Sequence, residues 1–274
     1  MIFTDQMGNS ITLSSLPKKI ISLVPSQTEL LFDLGLDEEI VGITKYCIHP
    51  KDKISPLQRA TKGDLTIIGG TKKLKLDLIR QLKPDLIIGN KEENEKGQIL
   101  ELQKEFPVWM SDIKTLDESL DMIEKMGELV GRKEKGVEIK NEIKKRFDEF
   151  LLQSSDASHT LTVLYLIWKK PFICAGKNTF INHMLELCGF MNVNQQARYP
   201  EISNEEIKKL NPDFIFLSSE PYPFKEKHIA ELQNVCPDSK IILVDGEMFS
   251  WYGSRLLYAP SYFKHLLLNL PKAV

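Results

Sequence analysis

Residues 246–260 read GEMFSWYGSRLLYAP and bring Glu247, Phe249, Trp251, Tyr252 and Arg255 into one short span. Rings at this density suit stacking on a broad conjugated or corrin-like face, and a carboxylate and a guanidinium beside them suit hydrogen bonds to its polar rim. A structural reading competes: Trp251 plugs the start of the last helix and Arg255 pairs with a nearby carboxylate. Side chains of similar use follow other apolar runs. PSQTE (25–29) puts Ser26 where it caps a helix whose free amides face either a ligand or solvent. KYCIHP (45–50) offers Tyr46 and His49, GGTK (69–72) lets backbone approach a ligand at Thr71, IWKKPF (167–172) offers Trp168 and Phe172, and RYP (198–200) offers Tyr199. A lone loop histidine such as His49 is more often hydrogen-bonded than metal-bound, so it stands only as a weak metal candidate.

Nothing nominates a catalytic centre. There is no GxSxG elbow and no HExxH, the 5 histidines are dispersed, and the 4 cysteines (Cys47, Cys174, Cys188, Cys236) lack CxxC spacing. The expectation is a non-enzymatic protein without a catalytic cofactor, with buried thiols and no site for a bare metal ion.

The elements that must carry these loops show in the periodicity. Apolar runs at 20–24, 40–44, 85–89, 161–167, 213–218 and 240–244 alternate with helical segments, which predicts largely parallel sheets covered by helices on both faces. In such sheets ligands meet the loops beyond the carboxyl ends of the strands. LDLIRQLKPDLIIG (76–89) aligns without gaps on NEEIKKLNPDFIFL (204–217), each reading helix, Pro-Asp turn, buried strand. SQTELLFDLGL (26–36) pairs more loosely with KNTFINHMLELCGF (177–190), each a helix ending at a glycine, Gly35 or Gly189, in the place of a left-handed cap.

The α/β chain is therefore expected to form two Rossmann-like lobes, 1–115 and 159–274, with connecting helices over 116–158. The connector opens with Thr115 and Glu118 in capping-box spacing, and Gly131 and Gly136 are expected to break it. From Glu134 to Gln153 a stripe of Val137, Ile143, Phe147 and Phe150 or Leu151 predicts one backbone helix about 30 Å long. A single helix lacks paired hinge loops, so little lobe motion is expected and the gap between the lobes should stand ready for a bulky ligand.

The chain has 274 residues, a formal net charge of -2 and lysines interspersed with glutamates, so no electrostatic footprint for nucleic acid is present. No apolar run approaches the roughly 18 residues of a membrane span. The amino terminus, MIFTDQMGNSITLSSLPKK, has no basic segment followed by an apolar core and cleavage site, so the chain as written carries no secretory leader and a cytoplasmic place stays open.

With these segments assembled, the chain resembles the substrate-binding proteins of ABC importers that have a single helical backbone, the family that captures cobalamin, iron-siderophore and haem. The resemblance runs from TDQMGNSITL through IISLVPSQTELLFDLG, GGTKKLKLDLIRQLKPDLII, NKEEN, PFICAGKNTFINHMLELCG and YPEIS to FSWYGSR, and is greatest to the cobalamin-binding branch. It implies a class III periplasmic-binding-protein fold and a monomer that hands a corrinoid, or else a ferric siderophore or haem, to a membrane permease. It implies a pocket collecting Pro25, Ser26 and Tyr46 with Phe172, Tyr199, Glu247 and Trp251, and permease docking through Asp77 and Glu205, which are equivalent in the internal repeat. It also implies a periplasmic or membrane-associated place. A cytosolic corrinoid-handling enzyme or chaperone is the alternative from another class.

Departures from the family pattern are visible. A tryptophan often placed near GGTK is absent, and Met248 stands beside Glu247 where another aromatic is expected. The disulfide of the cobalamin-binding relative would involve Cys188, yet the last helix (Leu256–Leu270) has no cysteine to pair with it.

Overall fold

The computed structural model describes residues 1–54, 65–153 and 161–270. The expected boundary at residues 158/159 lies outside them. The chain divides into two compact units, the first made of Met1–Ile113, Glu118–Ile143 and Tyr252–Arg255, the second of Lys114–Asp117, Lys144–Trp251 and Leu256–Val274.

The first unit opens with an antiparallel hairpin of β1 (Ile2–Thr4) and β2 (Ser10–Thr12). Its main sheet takes β3 (Ile20–Ser22), β4 (Ile40–Ile43) and β5 (Thr66–Ile67). A short hairpin of β6 (Gly69–Gly70) and β7 (Lys73–Leu74) precedes the last two strands, β8 (Leu86–Asn90) and β9 (Val108–Ser111). The five strands run parallel in the order β5-β4-β3-β8-β9. Helices α1 (Pro25–Asp33), α2 (Lys51–Ile54), α3 (Leu76–Leu82), α4 (Lys96–Leu102) and α5 (Leu116–Leu129) accompany them. Ile20, Ile21, Leu86, Ile87 and Ile88 have no exposed surface, the signature of strands covered on both faces. The amphipathic reading did not single out β9, whose short run VWMS is wholly buried and so shows no alternation.

Helix α6 (Lys133–Gln153) is continuous over 21 residues, its residues to Ile143 belonging to the first unit and those from Lys144 to the second. Its buried positions are Gly136, Ile139, Ile143, Phe147 and Phe150, a helical stripe that includes Ile139 and leaves Leu151 exposed. Gly131 does separate α5 from α6, at φ +70°, but Gly136 does not break the helix. A Cβ on Gly136 would lie 3.1 Å from the Gly127 Cα and from the Ile123 carbonyl, so this glycine serves the close approach of α5 and α6.

In the second unit the central strand β10 (Leu161–Trp168) pairs with β11 (Phe172–Cys174), β12 (Phe190–Asn192) and β14 (Phe214–Ser218). The sheet order is β13-β11-β10-β14-β15, with β13 (Glu201–Ile202) and β15 (Lys240–Val244) at its ends and β12 beside β10. Strands β10, β12, β14 and β15 are parallel, whereas β11 and β13 are antiparallel to their neighbours. Its helices are α7 (Phe180–Leu187), α8 (Asn204–Leu210), α9 (Glu226–Gln233), α10 (Gly246–Ser250) and α11 (Ala259–Leu268). One sheet face buries Leu164, Leu166, Ile215 and Leu217 against Ile207, Leu232 and Cys236. Tyr165 and Phe216 pack instead against Phe249.

The internal repeat has a shared physical form. Helices α3 and α8 end at Lys83 (φ 50°) and Asn211 (φ 41°), both left-handed, and each is followed by Pro-Asp. The aspartates then do the same work in each unit. Asp85 accepts from the backbone N–H of Lys18 and Lys19, each at 3.0 Å, just before β3. Asp213 accepts from the Thr162 N–H at 2.7 Å and its hydroxyl at 2.6 Å, at the start of β10. Each carboxylate thus fixes the entry of the central strand by accepting from its first backbone donors. Gly35 (φ +80°) and Gly189 (φ +81°) occupy the left-handed positions after α1 and α7, as the looser repeat requires.

The Thr162 hydrogen bonds hold the Asp213 carboxyl below its usual range. Its folded pKa is therefore lower than the unfolded value of about 3.9, and its stabilisation is complete above that pH and lost as pH falls through the folded pKa. Asp213→Asn is expected to lower stability at neutral pH by about 1–3 kcal/mol, measured by chemical denaturation, with the gap narrowing below about pH 4. A gap of constant size from neutral pH down to about pH 2 would contradict this.

Candidate functional site

At the carboxyl ends of β3, β4 and β8 the first unit builds its loops on buried side-chain amides. Asn90 accepts from the backbone N–H of Glu92 and Glu93 at 2.8 and 3.2 Å, while its amide donates to Ser111 Oγ at 3.0 Å. Gln27, on the first turn of α1, donates to the same Ser111 hydroxyl. Asn94 accepts from the Asn90 N–H at 2.8 Å and donates to the Thr71 carbonyl at 3.1 Å, tying NKEEN to the GGTK hairpin. These bonds replace the ladder partners that the backbone loses where the strands end.

Pro25 and Ser26 lie on the first turn of α1 and are buried. Val24 occupies the N-cap, and no side chain caps this helix, so the capping role expected of Ser26 is not taken. Tyr46 is 52% exposed, with the Lys45 ammonium 4.8 Å from its ring centroid. The diglycine explains how the hairpin sits beside this ring. Gly69 has φ +115° and no room for a Cβ, which would lie 2.4 Å from the Lys73 carbonyl. At Gly70 a Cβ would meet Tyr46 Cε2 at 3.1 Å. Thr71 is half-buried, and a cavity of about 360 Å3 lies beside it and Tyr46. His49 is half-buried, and among the described residues no group of three or more His, Cys, Asp and Glu stands together.

The end of the opening stretch is anchored in the same unit. Arg255 forms a bidentate pair with Glu29, Nε to Oε2 at 2.9 Å and Nη2 to Oε1 at 2.6 Å. Their side chains are 11% and 9% exposed. A desolvated fork of this kind is strongly held. The guanidinium is thus paired with a carboxylate of the chain itself. Tyr252 donates to Glu93 Oε1 at 3.1 Å, its carbonyl accepts from Ser119 Oγ at 2.6 Å, and burial pushes its phenol well above the ordinary range. Gly253 permits this seat, since a Cβ there would lie 2.5 Å from the Ser26 carbonyl.

In the second unit Trp168 is 40% exposed and stacks edge-on with Tyr222, the ring centroids 5.7 Å apart. Phe172, Tyr199 and Glu247 are half-buried, Glu247 on the first turn of α10. Phe249 and Trp251 turn inward. Phe249 has no exposed surface, with ring centroids 5.2 Å from Tyr165 and 4.8 Å from Phe263. It is core, and its place in a stacking platform is corrected. Trp251 is 5% exposed and donates Nε1–H to Glu220 Oε1 at 2.7 Å. Ser250 Oγ donates to the same oxygen at 2.9 Å. Burial raises the Glu220 carboxyl, opposed by those two hydrogen bonds. The end of α10 at Ser250, with extended backbone at Trp251, separates the expected platform: the core of the second unit takes Phe249, Glu220 takes Trp251, and Glu93 takes Tyr252.

The docking candidates are at the surface. The Asp77 side chain is 93% exposed and accepts from Arg80 at 3.1 Å, and Arg80 also pairs with Glu101 and Glu105. Glu205 is exposed on the first turn of α8, one residue before the Glu206 that completes a capping box with Ser203. All four cysteines are buried free thiols, and burial lifts Cys47 to about 11 and Cys174 to about 12.

Sequence reasoning missed Glu220, Glu93, Asn90 and Asn94. Glu220 lies two residues beyond the strand FIFLS, so the strand-end rule applied to FIFLSSE would have found it.

Comparison with known proteins supplies the relationship. Residues 20–234 match the family described as periplasmic binding protein. The chain is 26% identical to a vitamin B12-binding protein of Vibrio cholerae serotype O1, covering 73% of this chain and 70% of that one. It is equally 26% identical to an uncharacterized ABC transporter substrate-binding lipoprotein of Bacillus subtilis, over 77% of this chain and 67% of the relative. Among solved structures, a possible iron-binding (periplasmic solute-binding) protein of Staphylococcus epidermidis superposes with a TM-score of 0.74 at 27% identity, covering 94% of this chain and all of that one. Parallel α/β units, strand-end loops fixed by buried amides and a match over most of the length together place this chain in the periplasmic binding protein family.

Proposed function

We propose that this chain is the ligand-capturing component of an ABC importer and that its cargo is a metal chelate, a corrinoid such as cobalamin first. The observation that carries the reading is the family match together with the 26% identity to a vitamin B12-binding protein over 73% of the chain. The chemistry of the loops agrees with it. Tyr46 and Trp168 leave ring surface in water at strand ends, where a flat ligand can cover it, and the buried amides hold the surrounding backbone before any ligand arrives. Thr71, Phe172, Tyr199 and Glu247 are the half-buried residues that would complete the contacts. The chain holds and releases its ligand without bond-making, works as a monomer, and acts outside the cytoplasm where its permease opens.

An iron chelate, siderophore or haem, is the second reading. It is favoured by the similarity to the possible iron-binding protein of Staphylococcus epidermidis, at 27% identity. Absorbance titration with cobalamin, haemin and ferric siderophores separates the readings. Saturable binding of cobalamin supports the first, of haemin or a ferric siderophore alone the second, and binding of none contradicts both.

Removing either exposed ring is expected to weaken binding without unfolding the chain. Tyr46→Ala and Trp168→Ala should each cost about 1–2 kcal/mol of affinity, on the order of tenfold, with an unchanged far-ultraviolet circular dichroism spectrum. Affinity equal to that of the native chain in both variants would remove these rings from the site. Docking is proposed to use Asp77 and Glu205, whose exposure leaves them open to permease cations. Asp77→Lys with Glu205→Lys is expected to keep ligand affinity and to lose stimulation of permease ATP hydrolysis. Native stimulation by the double variant would exclude this role.

A further inference from the structure

The cavity beside the GGTKKLK hairpin has a charge that the proposed function does not use. Lys45, Lys72, Lys73 and Lys75 line it together with Tyr46 and Thr71, in a volume of about 360 Å3. These lysines sit in a chain whose formal net charge is -2. Among the described residues none of the four makes an ion pair. Lys72 donates to the Glu92 carbonyl, a neutral acceptor, and Lys45 lies over the Tyr46 ring. Two guanidiniums of the same unit are treated otherwise: Arg255 is forked on Glu29, and Arg80 is held by Asp77, Glu101 and Glu105. All four side chains are exposed, so water screens their mutual repulsion, but gathered around one concavity they give it a positive potential that attracts an anion.

The lysines also start from a fixed backbone. The Lys45 N–H donates to the Gly69 carbonyl at 2.8 Å and the Lys75 N–H to the Ile68 carbonyl at 2.8 Å. Gln98 clasps the hairpin from the other side, accepting from the Leu74 N–H at 2.7 Å and donating to the Lys72 carbonyl at 3.0 Å. Little ordering of the main chain then remains to be done when an anion binds.

We infer that this cavity is an oxyanion subsite, which takes the negatively charged rim of a chelate while Tyr46 lies against its face. The inference rests on the metal-chelate reading above and adds that the cargo carries a peripheral oxyanion. A phosphodiester on a corrin side chain and the carboxylates of haem are two sources of the same chemistry. A corrinoid lacking its phosphodiester is the control.

The test is absorbance titration of the full chain with cyanocobalamin, dicyanocobinamide and haemin at about 50 mM and about 500 mM salt. The native chain is compared with Lys72→Gln/Lys73→Gln/Lys75→Gln and with the corresponding triple arginine variant. The glutamine variant is expected to bind the oxyanion-bearing probe about tenfold more weakly at low salt and to lose the salt dependence, and the arginine variant to keep both. Loss confined to haemin identifies carboxylates; loss on cyanocobalamin but not on dicyanocobinamide identifies the phosphodiester. A glutamine variant that matches the native chain at both salt concentrations, or that weakens dicyanocobinamide as much as the others, overturns the subsite and leaves the chelate reading standing. A native chain that binds none of the three, nor the ferric siderophores of the titration above, overturns the chelate reading, and the subsite with it.

Discussion

Everything the candidate site offers depends on how the chain satisfies backbone donors and acceptors where buried parallel strands stop. A β-strand in the middle of a sheet has its polar groups paired; the loop beyond it does not, and burying it unpaired would cost more than the loop's own contacts return. Here side chains supply the partners. Asn90 and Asn94 close the loops of the first unit, Asn192 and Asn194 those of the second, where Asn192 donates to the Ala175 carbonyl at 3.0 Å and to Asn182 Oδ1 at 2.9 Å. At the opposite ends of the sheets Asp85 and Asp213 perform the same service for the strand entries.

Rigid loops explain why a surface ring is worth keeping. Tyr46 packs against Gly70, where a Cβ would crowd it, and Thr71 hangs from Asn94. A ligand arriving there finds a face already formed and loses little to ordering the protein. The cost falls on the chain, which leaves apolar surface in water at Tyr46 and Trp168 and collects ammonium groups beside the hairpin.

Much of the fold was legible because its signals are local. The Pro-Asp repeat fixed two helix ends and two strand starts, and Gly35 and Gly189 marked left-handed caps that few other residues adopt without strain. Gly136 was misread because a glycine that permits close helix packing and one that ends a helix look alike in one dimension. The site was less legible. Aromatic density in FSWYG could not tell a platform from a core, and the α-helical turn at Gly246–Ser250 directs Phe249 into the core of the second unit. Arg255 followed the structural reading, because Glu29 lies 226 residues away in sequence and only folding brings them to 2.6 Å. The lysines of GGTKKLK carry no motif of their own, and only the hairpin places them with Lys45 around one cavity.

The two units thus share a construction, and the same construction fixes strand-end loops whose exposed rings and ammonium groups suit a flat, charged-rim cargo. What the chain carries in its natural cell is the most direct test. Native mass spectrometry of protein purified gently from that cell should show one copy of a metal chelate per chain, released as an intact coloured species on denaturation. Recovery of a peptide, a sugar or another metal-free small molecule in its place would contradict the account.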